Sequence, residues 1–269
     1  MKTQKRFQLF SYFSFKLHHQ MKIKSHIPNL VTLANLFCGT VAAMHAVLGH
    51  YELTAIFVVI GILFDFFDGF VARLLGVSGE LGKQLDSLAD VVTSGVVPSL
   101  LMFLLIKNNV LNGSNVEMKI TFGQFEPDFG YLPYSAFLLT IAAGYRLAKF
   151  NLDTRQSDSF IGLPTPAMSL FIISLPLIYQ FTEIELLREM LLNNSYLIGI
   201  TVVLSILMNL ELPLFSLKFK GFSIKKNFIK YLFLIVSIVM IYFLKYTAVP
   251  LIITFYVLLS IVANLFKKA

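Results

Sequence analysis

An all-α, polytopic membrane protein is the fold class predicted for this 269-residue chain. Three observations predict it: 57% of residues are apolar, only 14% are charged, and the mean hydropathy is +0.75. A soluble domain carries about a quarter charged residues. Disorder, a collagen-like fibre, a disulfide-stapled mini-protein and a soluble globular enzyme are all excluded by this balance.

A helix needs ~20 mostly apolar residues to cross the hydrocarbon core. Eight segments answer to that: Val31–Gly49, Leu53–Leu75, Leu85–Ile106, Leu132–Phe150, Pro166–Phe181, Tyr196–Leu212, Tyr231–Leu244 and Ala248–Phe266. The seventh is short, and the second to fourth carry charge. An even number of crossings puts both termini on one side. Of the 22 Lys and Arg residues, only Lys107, Lys119, Arg188 and Lys245 fall on the opposite side, so the positive-inside rule makes the termini cytoplasmic.

Ahead of the first span, residues 1–27 form a separate basic segment, and 28–269 form one integral-membrane domain. Lys and Arg alternate there with Phe7, Leu9, Phe10, Tyr12, Phe13 and Phe15. An amphipathic helix on the cytoplasmic surface, a disordered tail and translation beginning at Met21 are three readings of it. The net charge of +7 calls for no nucleic acid, because the basic residues border spans and face anionic lipid headgroups. Cys38, the only cysteine, lies inside the first span as a small packing residue.

Four aspartates stand where a membrane protein should have none. Asp65 and Asp68 lie near the cytoplasmic end of the second span, and Asp86 and Asp90 near the cytoplasmic start of the third. Each carboxylate in a membrane helix costs ~2.5–3.5 kcal/mol even on the lenient insertion scale. The i, i+3 and i, i+4 spacings put each pair on one helix face. A short turn through Gly76, Ser78 and Gly79 brings the faces together as an antiparallel hairpin. Arg73 and Lys83 are too few to neutralise four carboxylates. Hard divalent cations, Mg²⁺ or Mn²⁺, are the natural complement, and two of them suit a diphosphate. Zinc is disfavoured, since neither Cys nor His accompanies the cluster. Gly69, Ala72 and Gly82 either allow close helix packing or make room for a bulky ligand such as a nucleotide.

Two further pairs merit attention. Asn29 and Thr32, at i, i+3 where the first span begins, either contact a nucleotide or cap and solvate the helix end. Arg146 and Lys149, near the cytoplasmic end of the fourth span, either hold a lipid phosphate or a carboxylate, or are flanking positive-inside charge.

Written out, the hairpin reads Asp65-x2-Asp68-Gly69-x2-Ala72-Arg73-x8-Gly82-x3-Asp86-x3-Asp90. This resembles the signature of the CDP-alcohol phosphatidyltransferases at every fixed position. The resemblance implies that an alcohol displaces CMP from a CDP-linked lipid. It also implies that Asp65, Asp68 and Asp86 are metal ligands, that Asp90 is ligand and general base, and that Gly69, Ala72, Arg73 and Gly82 border the CDP moiety. Ile27-Pro28-Asn29-Leu30-Val31-Thr32-Leu33-Ala34-Asn35, Leu85-Asp86-Ser87-Leu88-Ala89-Asp90-Val91-Val92, Arg146-Leu147-Ala148-Lys149-Phe150-Asn151 and Phe160-Ile161-Gly162-Leu163-Pro164-Thr165-Pro166-Ala167 resemble the bacterial membrane-bound phosphatidylserine synthase branch of that family.

The branch implies CDP-diacylglycerol and serine as substrates, a homodimer, and a site at the cytoplasmic face of a bacterial inner membrane. A sister transferase using glycerol 3-phosphate or an inositol phosphate is the alternative, and usually brings a pocket richer in cations. A divalent-cation transporter is the reading outside this class. It requires polar residues at several depths, whereas all four aspartates sit at one end of their spans.

Overall fold

The computed structural model describes residues 2–77, 79–111, 130–152, 160–215 and 224–268, with residues 2–23, 25, 160, 224–226 and 266–268 described as backbone only. Helix α1 (Lys2–Val47) turns tightly at Gly49 into α2 (Tyr51–Leu75). The expected basic N-terminal segment is therefore helical in backbone, while its amphipathicity rests on side chains outside the described residues. A second turn leads from α2 to α3 (Glu80–Asp90), which runs through a π-helical turn (Val91–Val96) into α4 (Val97–Val110). After it come a 3₁₀ turn (Leu132–Phe137) and α5 (Leu138–Leu152), then α6 (Thr165–Phe181), α7 (Glu185–Leu192) and α8 (Asn194–Asn209). Helices α9 (Ile224–Leu244) and α10 (Ala248–Lys268) close the chain.

The turn after α2 follows directly from Gly76. Its φ of +61° ends the helix in the left-handed conformation, and the Val77 amide returns to the Ala72 carbonyl at 3.0 Å. The next helix is thereby aimed back along α2, as the hairpin reading expects.

Glu80–Val110 is the central rod, with 72% of its apolar window covered by protein against 17% for Tyr51–Leu75. Leu101, Met102 and Ile106 of α4 are fully buried. They share one core cluster with Ala42 and Ala46 of α1, Val58 of α2, Leu139 and Ala143 of α5, Ile172 of α6 and Met208 of α8. The outward faces of α1 and α2 expose Phe37, Ile56 and Phe66, as lipid-facing surfaces do.

The described strands are two residues long: β1 (Phe160–Ile161) pairs antiparallel with β2 (Pro213–Leu214). Gly162 continues this contact at φ +73°. A Cβ there would lie 2.3 Å from the Met208 carbonyl oxygen, so only glycine lets this loop seal the end of α8.

By length and hydropathy the described helices supply four candidate spans, or five if α7 and α8, bent by 79°, are counted as one. Eight were expected. The shortfall has identifiable causes: α6 has only 17 residues, and the fourth expected segment opens as a 3₁₀ turn before the 15 residues of α5. The fourth candidate, Asn227–Leu265, is not a straight rod. Phe233 of α9 stacks on Phe255 of α10 with ring centroids 6.1 Å apart, whereas a continuous helix would hold them roughly 30 Å apart. The chain doubles back at Lys245–Thr247, where Lys245 takes φ +49°.

Candidate active site

The hairpin brings Asp65, Asp68 and Asp86 together: one carboxylate oxygen from each lies within 4.8 Å of the others. The i, i+3 spacing on α2 and the fold-back at Gly76 are sufficient to do this. Asp86 Oδ1 is buried without a hydrogen-bond partner, and among the described residues none of the three carboxylates forms an ion pair. Converging hard oxygen donors, one of them orphaned, fit a divalent cation of the Mg²⁺ or Mn²⁺ kind. This acidic triad could bind metal.

Asp90 lies one turn further along α3 and is buried. Its Oδ1 accepts from Asn35 Nδ2 at 3.2 Å, and its charge interacts with that of Arg146. Thr32 has one hydroxyl proton and two acceptors in reach, the Pro28 carbonyl at 3.1 Å and the Asp68 carboxylate. Thr32 thus ties the start of the first span to the acidic cluster.

A cavity of about 350 Å³ opens beside the triad. Asn29 and Thr32 of α1, Asp68, Gly69 and Ala72 of α2, and Gly82, Lys83 and Asp86 of α3 all line it, together with His26. The two glycines differ in role. Nothing lies within 4 Å of a Cβ built on Gly69, so its smallness leaves cavity space. A Cβ on Gly82 would stand 3.1 Å from Asn29 Oδ1, so there the smallness serves close approach of α3 to α1.

Other expected residues lie apart from this cavity. Arg73 is exposed and does not line it. Arg146 is 7% exposed; its Nη1 donates to Thr165 Oγ1 at 3.4 Å while its Nε has no partner. Lys149 is paired with Glu211 at 3.3 Å. These two cations line a separate small cleft between α5 and the end of α8.

Reading the sequence missed His26, Asn35 and Asn151. Asn151 Nδ2 donates to Ser87 Oγ at 2.7 Å, and Lys83 reaches the Asn151 carbonyl, so the end of α5 is tied to α3. A signal for Asn35 did exist: a neutral amide inside an apolar span needs a partner.

Two membrane helices folded back to present convergent carboxylates beside a cavity define the class. The chain belongs to the CDP-alcohol phosphatidyltransferase family, whose match covers residues 25–207 and so reaches past the last motif read in the sequence, Phe160–Ala167. Among its relatives is the CDP-diacylglycerol–serine O-phosphatidyltransferase of Bacillus subtilis, 33% identical over 157 residues, 58% of this chain and 78% of that one. The enzyme of the same name from Helicobacter pylori strain J99 is 32% identical over 196 residues, covering 70% and 72% of the two chains. Archaetidylserine synthase of Methanothermobacter thermautotrophicus is 29% identical over 170 residues, covering 61% and 64%.

Proposed function

We propose that this protein is a phosphotransferase that moves a phosphatidyl group from CDP-diacylglycerol to the hydroxyl of L-serine, releasing CMP and forming phosphatidylserine. The observation that carries the reading is the acidic triad beside a cavity, with Asp90 one turn away. The relatives' activities point to serine, and so does charge. A phosphorylated alcohol needs several cations, whereas Lys149 is already balanced by Glu211 and Arg146 is buried, which leaves Lys83 as the one Lys or Arg, among the described residues, lining the cavity beside the triad.

Asp65, Asp68, Asp86 and Asp90 would hold the metal, two Mg²⁺ or Mn²⁺ ions in our assignment. When bound, these ions neutralise the diphosphate and the charge that develops on departing CMP. Gly69, Ala72 and Gly82 leave room for the CDP moiety, with Asn29 and Thr32 at its edge and Arg73 near its outer margin. Asp90 takes the proton of the serine hydroxyl as that oxygen attacks the lipid-side phosphorus and the bond to CMP breaks. Arg146 holds the serine carboxylate or the lipid phosphate, and the Lys149–Glu211 pair borders that subsite.

We assign residues 28–269 to the membrane domain and residues 1–27 to a surface segment. Eight crossings, cytoplasmic termini, a site at the cytoplasmic face of a bacterial inner membrane and a homodimer complete the proposal. The distribution of Lys and Arg supports the orientation, and the α9–α10 fold-back supports an extra crossing. The deciding experiment follows labelled CMP released from CDP-diacylglycerol with Mn²⁺ or Mg²⁺ and each candidate alcohol. Serine-dependent release that a chelator abolishes and added metal restores is expected. Turnover with glycerol 3-phosphate but not serine overturns the acceptor assignment.

A further inference from the structure

Asp90 does not stand alone in its helix; it is held from α1. Asn35 is completely buried, and its amide is used at both ends. Nδ2 donates to Asp90 Oδ1 at 3.2 Å, while Oδ1, at 2.8 Å, is the nearer of two acceptors for the Thr93 hydroxyl, the other being the Asn35 backbone carbonyl at 3.2 Å. That second bond decides the first. A hydroxyl donating to the amide oxygen holds the amide so that its nitrogen, which can only donate, faces Asp90. The carboxylate therefore presents Oδ1 to Asn35 and leaves Oδ2 for the site.

The backbone is built to allow this. Thr93 lies in the π-helical turn that begins immediately after Asp90, and such turns shift side chains out of their ordinary helical positions. Two glycines make the approach possible. A Cβ on Gly39 of α1 would meet Thr93 Oγ1 at 2.3 Å, and one on Gly61 of α2 would stand 2.8 Å from both Asn35 Oδ1 and Thr93 Cγ2. Three helices are thus packed to backbone distance around one hydrogen-bonded relay.

We infer that Asn35 and Thr93 are positioning residues: the relay from Thr93 through Asn35 fixes the orientation of the Asp90 carboxylate for proton removal from the acceptor alcohol. This rests on the role proposed for Asp90 above. Neither side chain lines the cavity beside the triad, so binding of CDP-diacylglycerol should be spared when the relay is broken.

The test uses the full chain in detergent–lipid micelles with CDP-diacylglycerol and Mn²⁺, and whichever alcohol the wild type turns over. Thr93→Val keeps the shape and deletes the donor; kcat is expected to fall about 10- to 100-fold, the scale of a small misplacement of a reacting group. KM for CDP-diacylglycerol should stay within about twofold. Thr93→Ser restores the hydroxyl and should recover most of kcat, whereas Asn35→Leu should lose at least as much as Thr93→Val. Three results overturn the inference: Thr93→Val keeping more than half of kcat, Thr93→Ser falling as far as Thr93→Val, or losses of kcat accompanied by a rise in KM for CDP-diacylglycerol and a fall in melting temperature. The last would mark a packing role. Failure of serine in the wild type overturns only the acceptor assignment, because the variant ratios are read with the alcohol that works.

Discussion

Charge makes a residue visible in an apolar sequence, and neutrality hides it. The four aspartates stood out because each carries an insertion cost that only a ligand or a cation offsets. Asn35 and Thr93 did not, since a neutral polar side chain in a membrane helix is satisfied by one or two hydrogen bonds. Arg73, charged and equally visible, is exposed beyond the cavity edge, so charge alone does not report contact with a ligand. Two predictions belong at this scale. Asp90→Asn keeps the shape and loses the base, so kcat should fall by about 10²–10⁴-fold; a CMP-release assay showing full activity would remove Asp90 from the mechanism. Gly69→Leu places a side chain where the structure has open space. KM for CDP-diacylglycerol should rise by about tenfold or more while the melting temperature holds. An unchanged KM would show that the cavity beside Gly69 does not take the nucleotide.

The hairpin of α2 and α3 was legible because two independent patterns agree on it: carboxylates at helical spacing and a glycine-bearing turn between apolar runs. The π-helical turn was not. Val91-Val92-Thr93-Ser94-Gly95-Val96 reads as ordinary membrane helix, and only the structure shows Thr93 packed against Gly39 and Gly61 and Gly95 against Ala143. The fold-back between α9 and α10 was anticipated as two separate spans, and the stacked rings of Phe233 and Phe255 agree with that division. The turn that joins α2 to α3 can be tested on its own. At φ +61°, Gly76→Ala adds left-handed strain of about 1–2 kcal/mol with no new contact, since nothing lies within 4 Å of the added Cβ. The expected outcome is a lower melting temperature in micelles. An unchanged melting temperature would mean that the turn relaxes without disturbing the helices it joins.

At the scale of the whole molecule, the site and the topology make one claim. The aspartates approach one another at the α2–α3 turn, so whichever side that turn faces is the side from which a soluble alcohol enters and CMP leaves. Hydropathy alone leaves the number of crossings open, because short and bent helices such as α6 and the α7–α8 pair escape a length criterion. The central rod escapes no criterion: Glu80–Val110 is long, apolar and buried at the core. A crossing by this rod would put its two ends on opposite sides, with Glu80 beside the site and the chain returning at Tyr131, which is 91% exposed. Cys38, the sole cysteine, is buried and free, so the native chain offers little background to a membrane-impermeant maleimide. Single cysteines introduced as Glu80→Cys and Tyr131→Cys then report the two faces. With the positive charge cytoplasmic, Tyr131→Cys should label in intact cells and Glu80→Cys only in inverted vesicles. Both positions labelling from one side would break the central crossing. The reverse assignment would keep the crossing but move the acidic site, and the serine it awaits, to the outer face.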